Sequence, residues 1–409
     1  MRIIKYIILA FLFAFELNSA ELYFPPIIGS TWETTTPESL GWDVTKIQSF
    51  YDFIEQQNSK AIIVLKDGRI VLEKYFGTFT KDSSWYWASA GKTLTAFLVG
   101  KAQEEGFLKI NDLSSKYLGN GWTKCTKEQE DKITIRHQLT MTTGLYDGVP
   151  DNHCTIDSCL IYKADAGTRW AYHNAPYTLL EKVLISATGS PINTYTYQKL
   201  GSKTGITGLW FTLDYDNVYF SKPRIMARYG LLFQNDCVWD KDTILRDRKY
   251  FDEMVNTSQS INNSYGYLWW LNGKVSFMVP TLQTVFPGSY APDAPKDMFA
   301  GLGKNGQIVC VSKSKGLVVV RMGDKPDDGG EMPLKLCNQI WQKLNDIMNS
   351  ANSVEETLLG SITIYPNPAN TTLFIQGHTN NISNYDIVNI FGHFPFQMNS
   401  ADLESDHNM

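Results

Sequence analysis

Trp85-Tyr-Trp-Ala-Ser-Ala-Gly-Lys-Thr-Leu-Thr-Ala-Phe-Leu-Val-Gly100 is the stretch around which the remainder of the chain is organised. Leu94, Phe97 and Leu98 fall at helical spacing, and Gly106 supplies a stop a few residues on. Ser89 and Lys92 stand at i and i+3, so a helix sets hydroxyl and amine on one face, one turn apart. A serine at a helix N-terminus also has free backbone N–H groups near it, suited to a developing negative charge. That is the arrangement of an activated nucleophile. The spacing alone is not specific, because Ser312-Lys-Ser-Lys315 repeats it in a polar turn.

The chain has 409 residues, of which 43% are hydrophobic and 19% charged, which describes a globular protein with a substantial core. A net charge of -5 and the lack of any basic run argue against nucleic acid as a partner. Residues 1–20 read as a secretory signal peptide. Arg2 and Lys5 precede an apolar run from Ile7 to Phe15, and Asn18-Ser-Ala20 forms a small-residue cleavage site. The run is too short to span a membrane, so no stable membrane span is expected.

Export makes disulfides chemically reasonable. Cys154 and Cys159, five positions apart in a polar loop, are the candidate pair, whereas Cys125 and Cys237 have no evident partner. Cys310 and Cys337 read as buried free thiols. The six histidines are scattered, with no Cys-x-x-Cys or His-Glu-x-x-His, so neither a metal nor another cofactor is expected.

In chain order, residues 44–56 read as an amphipathic helix. Ala61-Ile-Ile-Val-Leu65 and Arg69-Ile-Val-Leu-Glu-Lys-Tyr-Phe76 form a hairpin about Asp67-Gly68. The middle of the chain mixes helix and loop, and Ala166-Gly-Thr-Arg-Trp-Ala-Tyr-His-Asn174 leads into a helix over 175–188. There Asn174 suits a helix cap and Tyr172 a core contact as well as catalysis. Ser264-Tyr-Gly-Tyr-Leu-Trp-Trp-Leu271 reads as a strand. Gln307-Ile-Val-Cys-Val311 and Leu317-Val-Val-Val-Arg-Met322 form a second hairpin, and a helix from Pro333 carries Cys337, Ile340, Trp341 and Leu344 on one stripe. The fold class is therefore α/β in the α+β sense: one antiparallel sheet flanked by helices, with a second helical lobe.

Ser89-x-x-Lys92, then Tyr172-x-Asn174, then Gly301-Leu-Gly303 is an ordered triplet. It resembles the serine β-lactamase and penicillin-binding-protein superfamily, in the branch of class C β-lactamases, esterases, D-aminopeptidases and 6-aminohexanoate-dimer hydrolases. Leu139-Thr-Met-Thr-Thr-Gly-Leu145 and the segment ending at Asn174 match words of that branch, and the resemblance spans residues 42–348. It implies a β-lactamase/transpeptidase-like fold and a two-step acyl transfer. Ser89 is the implied nucleophile, Lys92 or Tyr172 the base, and Asn174 the group that orients Lys92 or holds substrate. The implied oxyanion hole combines the Ser89 amide with one near Gly303 or Lys304, and Tyr172 is the implied base for the water step. A literal Lys203-Thr-Gly205 comes too early for the third motif. At Gly301 the family's lysine or histidine is missing, which favours an ester or amide over a β-lactam substrate.

Beyond residue 350 the composition shifts. Residues 351–360 read as a linker, and 361–409 as a small all-β module. Ile364-Tyr-Pro-Asn-Pro-Ala-Asn-Thr-Thr-Leu373 resembles the type IX secretion sorting domain, here shortened. The expected organisation is a signal peptide (1–20), a hydrolase domain (21–350), the linker and the sorting module (361–409). The expected partners are a small ester, amide or peptide-like substrate and the type IX secretion machinery. The expected location is the cell surface or beyond, with the periplasm as the destination if the module does not function. Two rival readings stand beside a secreted ester or amide hydrolase. One is a D,D-peptidase or β-lactamase acting on peptidoglycan-like substrates. The other is a non-catalytic, penicillin-binding-like protein.

Overall fold

A computed structural model describes residues 21–326 and 332–349, together with the backbone of four short strands beyond them. The stretch 1–20, expected to be a signal peptide, lies outside the described residues, as do the side chains of the C-terminal module. By contacts the chain forms two compact units, Met1–Met348 and Asn349–Met409. In the second, Thr363–Tyr365 pairs with Phe374–Gln376 and Asn384–Ile387 with Phe396–Asn399, both antiparallel.

The first unit is built on a six-stranded antiparallel sheet. Its spatial order is Arg69–Tyr75, Ser59–Lys66, Leu317–Gly323, Gln307–Ser312, Phe299–Gly303 and Trp270–Leu271. The first hairpin turns at Asp67 and Gly68, whose φ values of 47° and 83° suit the tight turn that Asp-Gly favours. The long hairpin Gln307–Ser312/Leu317–Gly323 then pairs with Ser59–Lys66, joining the two ends of the unit. These strands are apolar on both sides because both faces are covered. On one face Val309 and Val318 lie under helix Pro223–Gln234, close to Gly230. On the other, Cys310 meets Cys337 of helix Leu334–Met348, with the sulfurs 3.6 Å apart. Both cysteines are buried free thiols, and the predicted stripe of Ile340, Trp341 and Leu344 is buried with them.

A second, smaller apolar cluster of Trp122, Ile133, Leu145, Leu160, Ala175 and Leu179 marks the middle lobe. Two expectations about local structure fail. Within residues 264–271 only Trp270–Leu271 is a strand, because the backbone before it bonds elsewhere: Tyr267 N–H donates to Met254 O and Leu268 N–H to Leu139 O. Residues 175–188 form two helices, Asn174–Thr178 and Leu180–Thr188, the second closed by Gly189 in the left-handed region. A three-stranded sheet of Trp85–Tyr86, Asp216–Ser221 and Leu209–Leu213 was not foreseen from the sequence.

Ile63 is fully buried in a strand paired on both edges. Truncating it leaves a void that a two-sided sheet cannot close, so Ile63→Ala should cost about 3 kcal/mol. Urea unfolding followed by tryptophan fluorescence measures this, and a loss below about 1 kcal/mol would contradict the packing described.

Candidate active site

The strand Trp85–Tyr86 ends in a turn that leads straight into a helix. Ala88 takes φ 45°, a conformation uncommon for a residue with a Cβ. Ala88–Gly91 then forms one 3-10 turn, and Lys92–Glu104 continues as an α-helix whose residues are almost all buried. The turn is held by the small sheet behind it. Trp87 N–H donates to Tyr219 O at 2.8 Å, and Trp87 Nε1–H to Ser221 Oγ at 2.8 Å. Ser89 is thus presented at a strained strand-to-helix turn and remains partly accessible.

Lys92 is 4% exposed. Its Nζ donates to Asn174 Oδ1 at 2.8 Å and sits 3.9 Å from the Tyr177 ring centroid and 5.4 Å from that of Tyr172. Removal from water pushes the Lys92 amine down to about 7, against a smaller opposing pull from the Asp216 carboxylate. Asn174 therefore does not cap its helix with its side chain; that side chain is spent on Lys92 and on the loop before it. Its Nδ2 donates to Asn152 Oδ1 and approaches His153 Nε2, both at 3.1 Å.

Tyr172 is 6% exposed and near-parallel to Trp270, 25° between planes at 6.0 Å, with Tyr265 edge-on at 6.3 Å. The core contact and the place in the cleft are both real for this residue. Burial raises the Tyr172 phenol well above its ordinary value, with a hydrogen bond to Ser89 acting the other way. The phenol is therefore neutral near pH 7, which disfavours it as a free base. The segment around Tyr172 is scaffolded by 139–145: Ala171 N–H donates to Met141 O and Gly167 N–H to Thr142 O.

The strand Phe299–Gly303 closes the other side. A Cβ on Gly303 would fall 3.0 Å from Ser89 N and 2.6 Å from Trp87 O, so only glycine lets this strand pass the serine turn. At Gly301 a Cβ would meet Val309 Cγ1 at 3.0 Å and Thr93 Cγ2 at 3.2 Å, so this backbone leaves little room for a side chain there. Lys304 follows at the rim. A cleft of about 380 Å³ collects Ser89, Tyr172, Asn174 and Lys304, with Asp151, Asn152 and His153 also in its lining.

The structure thus gathers Ser89, Lys92, Tyr172, Asn174, Gly301, Gly303 and Lys304, of which the first and last are 215 positions apart in sequence. Lys203-Thr-Gly205 lies instead on a short helix capped by Gly205 and lines none of this cleft. Trp87, Trp170, Trp269 and Trp270 are core residues, each at most 1% exposed. Cys154 and Cys159 form the expected disulfide. Sequence reasoning missed Asn152, His153 and Asp216, although His153 adjoins a cysteine already singled out.

Against known proteins, the chain is similar to several of one kind. An Escherichia coli O157:H7 protein provisionally named a D-alanyl-D-alanine carboxypeptidase is 20% identical over 379 residues, covering 71% of this chain and 85% of that one. A Bacillus anthracis structure provisionally assigned as a 6-aminohexanoate-dimer hydrolase superposes with TM-score 0.60 at 14% identity, covering 82% of this chain and 92% of the other. A D-stereospecific amidohydrolase from Streptomyces gives 0.52 at 14% identity, covering 75% and 99%. The beta-lactamase family model matches residues 52–335. That match takes in the serine turn, the tyrosine segment and the glycine strand, and the chain belongs to the beta-lactamase family of serine hydrolases.

Proposed function

We propose that this protein is an exported hydrolase that cleaves an ester or amide through an acyl-enzyme on Ser89. The observation that carries the reading is the buried Lys92 amine, held by Asn174 with its proton affinity brought down to about 7. A lysine in water is charged at neutral pH and cannot accept a proton; this one can.

In the first step the Lys92 lone pair takes the Ser89 proton while Oγ attacks the substrate carbonyl. The N–H groups of Ser89 and of the strand end near Gly303 and Lys304 receive the oxyanion. Tyr172, held neutral by burial, passes a proton to the leaving group and is regenerated from Lys92. Water then attacks the acyl-enzyme with Lys92 as base, in preference to Tyr172, whose phenol is too weakly acidic to supply a phenolate.

Glycine at 301 supports esters and simple amides over β-lactams, because the family's cation at that position is absent and Lys304 at the rim is the cation left in the cleft lining. The alternative of a D,D-peptidase or β-lactamase draws on the provisional name of the Escherichia coli relative. A non-catalytic penicillin-binding-like role is disfavoured by the complete Ser89, Lys92 and Tyr172 set.

Residues 1–20 and the tyrosine-proline-asparagine-proline motif of 361–409 support export and delivery by type IX secretion, with 21–350 as the hydrolase domain. Fractionating cells that express the full chain, or the chain without 361–409, tests delivery. Equal release of both forms into the medium would refute a sorting role.

Fluorophosphonate should label the wild type but not Ser89→Ala, and labelled penicillin should react poorly. Penicillin labelling as strong as fluorophosphonate labelling would favour the peptidase or lactamase reading, and no labelling by either would leave a binding protein. On p-nitrophenyl esters, kcat/KM should rise with pH through a limb near 7, as Lys92, facing Tyr172, Tyr177 and the more distant Asp216, loses its proton. Lys92→Arg should abolish turnover. A profile flat between about pH 5.5 and 8.5 would exclude Lys92 as the base.

A further inference from the structure

One chain of polar contacts enters the cleft from elements far apart in sequence. It starts at Lys92, passes through the Asn174 amide to His153 Nε2 at 3.1 Å, and ends where His153 Nδ1 lies 2.8 Å from Asp216 Oδ1. An amide nitrogen only donates, so Nε2 must be the unprotonated acceptor of the ring. The imidazole proton then sits on Nδ1 and is donated to the carboxylate. Asp216 selects the tautomer, and the tautomer selects which end of the Asn174 amide faces the loop. The other end, the oxygen, is left facing Lys92. A reversed amide would set NH2 against the amine and would turn an oxygen toward the lone pair of Nε2.

We infer that His153 and Asp216 are a positioning pair that fixes the orientation of Asn174 and through it the Lys92 amine. This rests on the reading of Lys92 as the base for Ser89.

The backbone is built to hold the pair. His153 N–H donates to Asp151 Oδ1 at 2.9 Å, and the next residue, Cys154, is tied to Cys159. Asn152 adds its own carbonyl, which accepts from Ala175 N–H at 2.9 Å, so the loop is docked on the helix that carries Asn174. Asp216 opens the strand Asp216–Ser221 directly after the Asp214–Tyr215 turn. Further along, the same strand accepts the Trp87 N–H through Tyr219 and pairs with Trp85 through Ser221. One strand thus fastens both the nucleophile turn and the far end of the relay. The pair itself is partly solvated, with side-chain exposures of 45% for His153 and 35% for Asp216. Its role is therefore geometric direction more than electrostatic strength.

The test is steady-state kinetics on the full, disulfide-intact chain with a p-nitrophenyl ester, alongside fluorophosphonate labelling. His153→Phe keeps the ring volume and removes the acceptor; Asp216→Ala removes the tautomer selector. Each should lower kcat about tenfold with KM changed less than about twofold. His153→Gln places an oxygen near the Nε2 position and should restore most of the rate. In an Asn174→Ala background, His153→Phe should cost nothing further, because its only route to Lys92 is gone. The inference is overturned by an equal His153→Phe penalty in that background, by His153→Gln as impaired as His153→Phe, or by an effect confined to KM. A wild type that neither labels nor turns over would instead overturn the serine hydrolase reading, and the pair's role with it.

Discussion

The amino group of Lys92 is taken out of water, and most of the first unit can be understood as what that requires. An ammonium ion loses far more hydration on burial than one hydrogen bond returns, so the group responds by giving up its proton more readily. Here it keeps one strong acceptor, Asn174 Oδ1, and two aromatic faces, those of Tyr177 and Tyr172. These ligands come from a different part of the chain than the lysine. They can only converge if the Lys92–Glu104 helix is locked between the sheet and the middle lobe. The nearly complete burial of that helix is what keeps the Lys92 amine away from water.

The two lobes divide the labour. The six-stranded sheet supplies rigidity: both of its faces are covered, and its strand Phe299–Gly303 runs close enough to the serine turn that Gly303 can carry no side chain. The middle lobe supplies the polar groups around Lys92. Its loop 139–145 scaffolds Tyr172, and its disulfide-tied loop brings Asn152 and His153 to the amide of Asn174. The small sheet behind Trp85–Tyr86 links the two, since its strand Asp216–Ser221 pairs with the strand before the serine turn and, through Asp216, meets His153 in the cleft lining.

Elements dominated by local pattern are legible in the sequence. The Asp67-Gly68 hairpin, the serine helix with its stop at Gly106, the valine-rich hairpin and the terminal helix all carry their periodicity in the sequence. Residues 264–271 did not, because aromatic alternation there reflects packing among Trp170, Tyr172, Tyr265 and Trp270 rather than a ladder. Asn174 was equally ambiguous. Asparagine before a helix is more often a cap, and nothing local reveals that its amide faces a lysine eighty-two positions earlier.

The sequence by itself determined the two hairpins and the helices beside them, since these follow from periodicity and turn residues. It offered Ser89 and its ordered partners as candidates through the triplet's resemblance to a family, the Ser-x-x-Lys spacing alone being repeated at Ser312. The desolvation of Lys92, on which its proposed role as a base rests, was decided only by the tertiary structure. Proton affinity depends on how completely the amine is desolvated and on which groups surround it, and both are set by elements distant in the chain. The placement of His153 beside Asp216, sixty-three residues apart, belongs to the same class. No local pattern encodes it, because the contact exists only after a disulfide-tied loop and a β-hairpin have each packed against the core.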